Sequence, residues 1–161
     1  MKGSGNFAVI VRAKSTLILM VVVSLLGAGA AQAEPAKVTG SWTIEIKFNS
    51  GPTRLLRFEA QESGRGSFLL LDPSLKVWGP AKPTEAKWSQ ADDGSVSVSG
   101  PVEFPLGNVG RDAGTLVLKG TFRAGGMTGK ATLYPVGENP EDPGSKPAKE
   151  GDFKGTRGAG G

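Results

Sequence analysis

The sequence VTGSWTIEIKF, residues 38–48, alternates apolar and polar side chains, and this alternation decides the fold class. The apolar members share one parity: Val38, Trp42, Ile44, Ile46 and Phe48. Successive side chains of a β-strand point to opposite faces, so a period of two predicts a strand with one buried face. Asn49-Ser50-Gly51-Pro52 follows it as a turn signal, because Gly and Asn accept positive φ and Pro donates no backbone hydrogen bond.

Similar short segments continue along the chain, separated by turn residues such as Asp92-Asp93-Gly94. We expect strands at about residues 53–61, 67–71, 85–91, 96–104, 116–122 and 127–134. The third of these, Ser67-Phe68-Leu69-Leu70-Leu71, is continuously apolar after Ser67 and is expected to be buried on both sides. Helical periodicity over ten residues is absent after the N-terminal region. The sequence therefore predicts an all-β, up-and-down antiparallel meander of seven or eight strands that closes into a barrel, since closure removes exposed edges.

The chain divides by composition into five parts. Residues 1–33 are interpreted as a signal peptide and residues 34–134 as the β-barrel domain. Residues 135–150 contain four prolines and many charges, which predicts a flexible loop or the start of a disordered tail. Residues 151–157 are a candidate closing strand, and residues 158–161 form a glycine-rich tail.

The N-terminal region has the three parts of an export signal. Lys2, Arg12 and Lys14 precede an apolar run from Leu17 to Leu26, and Ala31-Gln32-Ala33 is an Ala-x-Ala cleavage site. The run is shorter than the roughly 20 apolar residues that a membrane-spanning helix needs, and no cysteine follows it for a lipid anchor. We expect cleavage before Glu34 and a secreted or periplasmic protein. An uncleaved N-terminal anchor is the alternative.

Charge and composition exclude several functional classes. Removing residues 1–33 leaves sixteen basic and fifteen acidic residues, so the basic pI belongs to the precursor and the expected mature chain has no electrostatic footprint for nucleic acid. The chain contains neither His nor Cys, which excludes Ser-His-Asp and Cys-His catalysis, thiol redox chemistry and ordinary zinc sites. We therefore expect a protein that is not an enzyme and has no cofactor or metal.

Some carboxylates offer an alternative to this view. Glu45, Glu59 and Glu103 fall on predicted strands, where a pair could act as a glycosidase dyad. Their parity is opposite to the apolar face, which favours solvated outer-face charges. Asp92 and Asp93 could touch a calcium ion, but before Gly94 they are typical turn residues.

Gly40-Ser41-Trp42, at the start of the first strand, resembles the Gly-x-Trp motif of the lipocalins and the wider calycin group. The resemblance implies an eight-stranded barrel in which Trp42 closes one end and a basic residue near the last strand packs across it. Arg157 is the matching candidate and Arg123 the second. The Thr-Asp-Tyr loop and C-terminal helix of lipocalins are missing, and a streptavidin-like barrel fits the strand rhythm about as well.

Three aromatic residues are candidates for ligand contact: Trp78, Trp88 and Phe58. Trp78 lies in an irregular, proline-containing segment that is expected to cross a barrel end, where it caps the core or faces a ligand. Trp88 and Phe58 fall at inward positions, where core packing is the competing interpretation. Inward-parity glycines, among them Gly120 and Gly129, indicate either space in the interior or bends in the strands.

Two functions remain open. The first is an exported, non-catalytic binding module whose barrel takes a small apolar or aromatic ligand. The second is an envelope-structural or protein-interaction module with a filled core and no internal ligand. Neither involves nucleic acid, nor a membrane once the signal is removed. A cavity with Trp78 at its mouth would favour the first, and a filled interior the second.

Overall fold

The computed structural model describes residues 37–71, 79–107, 110–123 and 125–158. They form eight strands: β1 (Gly40–Phe48), β2 (Arg54–Ala60), β3 (Arg65–Leu70), β4 (Thr84–Gln90), β5 (Ser95–Leu106), β6 (Gly110–Arg123), β7 (Gly126–Pro135) and β8 (Lys149–Arg157). A three-residue 3₁₀ turn, Glu62–Gly64, joins β2 to β3. No helix in these ranges is long and apolar enough to cross a lipid bilayer. The expected signal peptide (residues 1–33), Trp78 and residues 159–161 lie outside the described residues.

The strands form a closed antiparallel barrel in which each strand pairs with the next and β8 pairs with β1. In the closing ladder, Trp42 lies opposite Arg157 and Phe48 lies opposite Gly151. β8 also pairs with β7, from Gly126 opposite Thr156 to Leu133 opposite Lys149. The predicted meander, its closure and the eighth strand are confirmed, and the barrel strands extend from Gly40 to Arg157.

The alternation of β1 gives the barrel its inner face. Trp42, Ile44 and Ile46 are fully buried, and Phe48 is nearly so. The intervening Glu45 and Lys47 are exposed on the outer face. β2 and β5 continue the same pattern, which is why the core forms a single cluster inside the barrel.

The third strand differs from its prediction. β3 is buried only at Phe68, whereas Leu69 and Leu70 are half-exposed. One face of every barrel strand points outward, so an apolar sequence cannot by itself bury both faces. The expectation that this strand is buried on both sides is therefore wrong.

The inward glycines of β6 and β7 permit a close backbone approach. Gly120 and Gly129 lie opposite each other in the ladder. A Cβ atom on Gly120 would lie 2.1 Å from the carbonyl oxygen of Thr128, and one on Gly129 would lie 2.2 Å from that of Lys119. These distances are far below van der Waals contact, so the two backbones approach too closely here for any side chain, and the two glycines do not border a ligand space.

Gly129→Ala is therefore expected to lower the free energy of unfolding by about 1–3 kcal/mol, the usual cost of forcing an extra methyl group into a packed site. Gly126→Ala is the matched control on the same strand, because its Cβ would meet nothing nearer than 3.6 Å. Denaturant midpoints of the two variants measure the difference. Equal midpoints would show that the backbone relaxes at Gly129 without cost.

The segment between β7 and β8 is a loop of consecutive turns. The backbone N–H of Asp142 donates to the carbonyl oxygen of Asn139 (3.0 Å), and that of Ser145 donates to Asp142 (3.0 Å). The N–H of Ala148 donates to the carbonyl oxygen of Leu133 on β7 (2.8 Å), which brings the chain back beside β7. The segment leads into β8 and so is not the start of a disordered tail. Its predicted flexibility in solution stays a prediction.

Candidate functional site

One end of the barrel is closed by Trp42. Its side chain is fully buried, and its indole N–H donates a 2.6 Å hydrogen bond to the carbonyl oxygen of Val38. The ring packs edge-on against Phe122, with 5.5 Å between ring centroids. The indole thus satisfies its one polar group while filling the space between β1 and β6.

Arg157 lies over the Trp42 ring, because the closing ladder places the two residues opposite each other. Its guanidinium carbon is 4.9 Å from the ring centroid, within range of a cation–π interaction. The same guanidinium donates to the carbonyl oxygens of Lys37 (2.7 Å) and Thr39 (3.1 Å), which fixes the chain before β1.

Gly40 and Arg123 complete the comparison with the predicted arrangement. Gly40 adopts φ +112°, a conformation that favours glycine, and a Cβ there would lie 3.2 Å from Nη1 of Arg157. Arg123, the second basic candidate, is exposed at the end of β6. The predicted proximity of Arg157 to Trp42 is therefore confirmed.

The barrel interior is packed with side chains. Those exposed by no more than 2% of their surface include Trp42, Ile44, Ile46, Leu56, Phe58, Phe68, Phe104, Leu116, Leu118, Met127 and Leu133. A side chain with no accessible surface borders no space that could hold even a water molecule. An eight-stranded barrel is narrow enough for side chains alone to fill it.

Two of the predicted ligand-contact residues take part in this packing. Phe58 is fully buried, and its ring centroid is 5.6 Å from that of Phe68. Trp88 is half-buried against the core, and its indole N–H lies 2.9 Å from both the Gln61 and the Arg65 carbonyl oxygens. Trp88 therefore ties β4 to the turn before β3. In this conformation Phe58 presents no surface to a ligand.

The opposite end of the barrel contains a buried cation that sequence reasoning missed. Arg54, at the start of β2, is only 4% exposed and donates to the carbonyl oxygen of Pro105 at 2.7 Å. Its guanidinium carbon lies 5.4 Å from the ring centroid of Phe104. Arg54 has the same parity as Leu56 and Phe58, which was the available signal. The expected preference of Arg for the surface masked that signal.

A pocket of about 400 Å³ lies at this same end. Leu70, Ala81 and Pro105 contribute apolar surface, and Lys82 contributes a charge. Glu103 and Arg111, also in its lining, form an ion pair at 2.5 Å. Its volume falls in the range of small-molecule sites.

The three candidate catalytic carboxylates, Glu45, Glu59 and Glu103, lie on the outer face and are not direct neighbours in the ladders. Glu45 lies opposite Leu55 and Lys154, whereas Glu59 lies opposite Ser41, whose hydroxyl donates to it at 2.7 Å. Glu103 is paired with Arg111 on the adjacent strand.

Asp93 acts as a turn residue between β4 and β5. The Ser95 hydroxyl donates to its carboxylate, and the Ser95 backbone N–H donates at 2.8 Å. These two hydrogen bonds hold the pKa of Asp93 below its ordinary value of 3.8, and the hydrogen bond from the hydroxyl has the larger effect. A lowered pKa means that this carboxylate stabilises the fold above that value, and that the contribution disappears as the pH falls through the lowered pKa.

An NMR titration of the side-chain carboxyls should therefore give Asp93 a pKa below 3.8. Ser95→Ala removes the hydroxyl donor but keeps the backbone donor, so the pKa of Asp93 should rise part of the way back. An unchanged pKa in Ser95→Ala would contradict the assigned cause.

Comparison of the chain with models of known protein families found no match, and comparison with curated proteins found none either.

Proposed function

We propose that this chain is an exported, non-catalytic β-barrel that serves as an envelope-structural or protein-interaction module, acting through its outer surface and loops. The filled interior carries this proposal. Because side chains such as Ile44, Phe58 and Leu118 have no accessible surface, a ligand could enter only by displacing packed core. In this proposal the barrel is a rigid scaffold.

The finer family assignment is part of the same proposal. A Gly-x-Trp strand start whose Trp is covered by a basic residue of the last strand is the arrangement that the calycin resemblance implied. Gly40, Trp42 and Arg157 have that geometry, which supports a calycin-like barrel. Proposed export rests on the Ala-x-Ala site before Glu34.

A second candidate is a binding module for a small apolar or aromatic ligand. The pocket of about 400 Å³ at the Arg54 end favours it, since Leu70, Ala81 and Pro105 line it. In this version the ligand binds at the barrel mouth and leaves the interior packed.

Native mass spectrometry of the exported protein from its own host separates the two functions. We expect one species whose mass is that of residues 34–161 with nothing bound. A constant extra mass that disappears on denaturation would contradict the first function and support the second. A mass that includes residues 1–33 would contradict cleavage.

Xenon binding followed by NMR tests the filled interior directly, because xenon occupies apolar cavities. The wild-type interior should give no xenon-dependent shifts at Ile44 or Leu118. Phe58→Ala should create a cavity and produce them, and Leu118→Ala is a second cavity variant if Phe58→Ala does not fold. Saturable shifts around these residues in the wild type would overturn the proposal.

A further inference from the structure

The outer face of β5, β6 and β7 contains a groove that neither barrel end accounts for. The turn at Asn139–Glu141 forms one wall, and the groove encloses about 360 Å³. We call it the β6 groove, because β6 runs along its floor. Unlike the barrel interior, the groove is not filled by packed side chains of its described lining.

Register arranges the floor of the β6 groove in three rows across the sheet. Ser97, Lys119 and Lys130 form the first row, and Thr115 and Tyr134 form the last. Between them lies the row Ser99, Val117 and Thr132. Four residues of strand separate the outer rows, about 13 Å at the usual rise. The groove is therefore cationic at one end and aromatic at the other.

The cationic end is a like-charge pair. Lys119 and Lys130 lie directly opposite each other on adjacent strands, an arrangement that is destabilising without a counterion. Lys130 donates to Asp152 at 2.6 Å, and this hydrogen bond raises the pKa of the Lys130 ammonium. Among the described residues, no ion pair engages Lys119. Asp152 is thus the counterion of Lys130, and an anionic group at this end would pair with Lys119.

Half-exposed hydroxyls lie in all three rows: Ser97 in the first, Ser99 and Thr132 in the middle, and Thr115 in the last. A hydroxyl both donates and accepts hydrogen bonds, which matches the hydroxyl groups of a sugar. Val117 and the half-buried Tyr134 add a small apolar surface, suited to the C–H face of a sugar ring. Glu141, on the wall, can accept hydrogen bonds from sugar hydroxyls.

Protein partners fit this surface less well. A bound extended peptide adds a strand to an exposed sheet edge, and here each strand is already paired on both sides. The cores of protein interfaces are apolar and aromatic. The large apolar side chains exposed in the described part of the chain are Leu55, Leu106 and Val136, and none of them lines the groove.

We propose that the β6 groove binds an anionic saccharide chain, with the acidic group of one sugar at Lys119 and a ring further along the saccharide at Tyr134. The inference rests on the proposed function, in which the outer surface of the barrel acts, and it names the chemistry of the partner. The hydroxyl row between the two ends orients the intervening sugar.

Calorimetric titration with a galacturonic acid hexasaccharide tests this proposal, with maltohexaose as the neutral counterpart and inorganic phosphate as the bare anion. We expect the acidic hexasaccharide to bind about tenfold more tightly than either control, a difference of one charge-assisted contact or more. Binding should weaken as NaCl rises from about 50 to about 300 mM, because exposed charges are screened.

Variants locate the site. Lys119→Gln should weaken the acidic hexasaccharide about fivefold, and Tyr134→Ala by a similar factor, as expected for losing one charged or one aromatic contact. Lys47→Gln is the matched control, since Lys47 is an exposed outer-face lysine of β1 outside the groove, and it should change affinity less than about twofold. Unfolding midpoints verify that each variant is folded.

Several results would overturn the proposal. If maltohexaose bound as tightly as the acidic hexasaccharide, the site would not select for negative charge. If phosphate bound as tightly, the site would be a simple anion site. If no probe bound, or if Lys47→Gln lost as much affinity as Lys119→Gln, the β6 groove would not be the binding site. These outcomes leave the filled interior untouched, whereas a retained internal molecule would contradict only the proposed function.

Discussion

Ending the chain after Tyr134 is expected to abolish cooperative unfolding of the barrel. β8 pairs with β1 from Trp42 to Phe48 and with β7 along almost its whole length. Its loss exposes two strand edges at once. It also removes Phe153, which is only 4% exposed in the intact barrel, and so uncovers the core side chains that Phe153 packs against. A domain is only marginally stable, so losing one strand of eight exceeds what the remaining contacts supply.

Circular dichroism and tryptophan fluorescence during urea titration measure this effect. The matched control ends after Gly158, which keeps β8 and the hydrogen bond from the Gly158 N–H to the carbonyl oxygen of Ser41 (2.9 Å). That control should unfold at the midpoint of the full chain. If the chain ending at Tyr134 unfolded at the same midpoint as well, closure through β8 would contribute nothing to stability.

Trp42→Ala is expected to lower the free energy of unfolding by about 3–5 kcal/mol, the range for removing a large aromatic side chain from a core. The substitution opens a cavity beside Phe122 and leaves the carbonyl oxygen of Val38 without its 2.6 Å donor. It also removes the ring under the Arg157 guanidinium.

Trp42→Phe and Arg157→Ala divide this effect into its parts. Trp42→Phe keeps most of the apolar volume but lacks the N–H donor, so an intermediate loss is expected. Arg157→Ala should cost about 1 kcal/mol, since an exposed cation–π contact contributes that much. Denaturant midpoints supply all three values. A Trp42→Ala midpoint close to that of the wild type would contradict the conclusion that Trp42 closes its end of the barrel.

The sequence predicted the fold better than it predicted the candidate site. Inward parity correctly placed Phe58 in the barrel interior, but parity cannot tell whether inward side chains meet or leave space for a ligand. The β6 groove had no sequence signal, because Lys119, Lys130 and Tyr134 become neighbours only through the register of two ladders. Arg54 was missed because its charge outweighed its parity.

The sequence by itself determined the strand pattern, the buried face of β1 and the turn at Asp93. These follow from the period of two and from turn chemistry, which act between residues close in the chain. Tertiary structure alone decided that Arg157 covers Trp42, that only Phe68 of β3 is buried, and that Gly120 and Gly129 meet at a close backbone approach. The reason is that closure pairs strands from opposite ends of the domain, and local periodicity carries no information about register between distant segments.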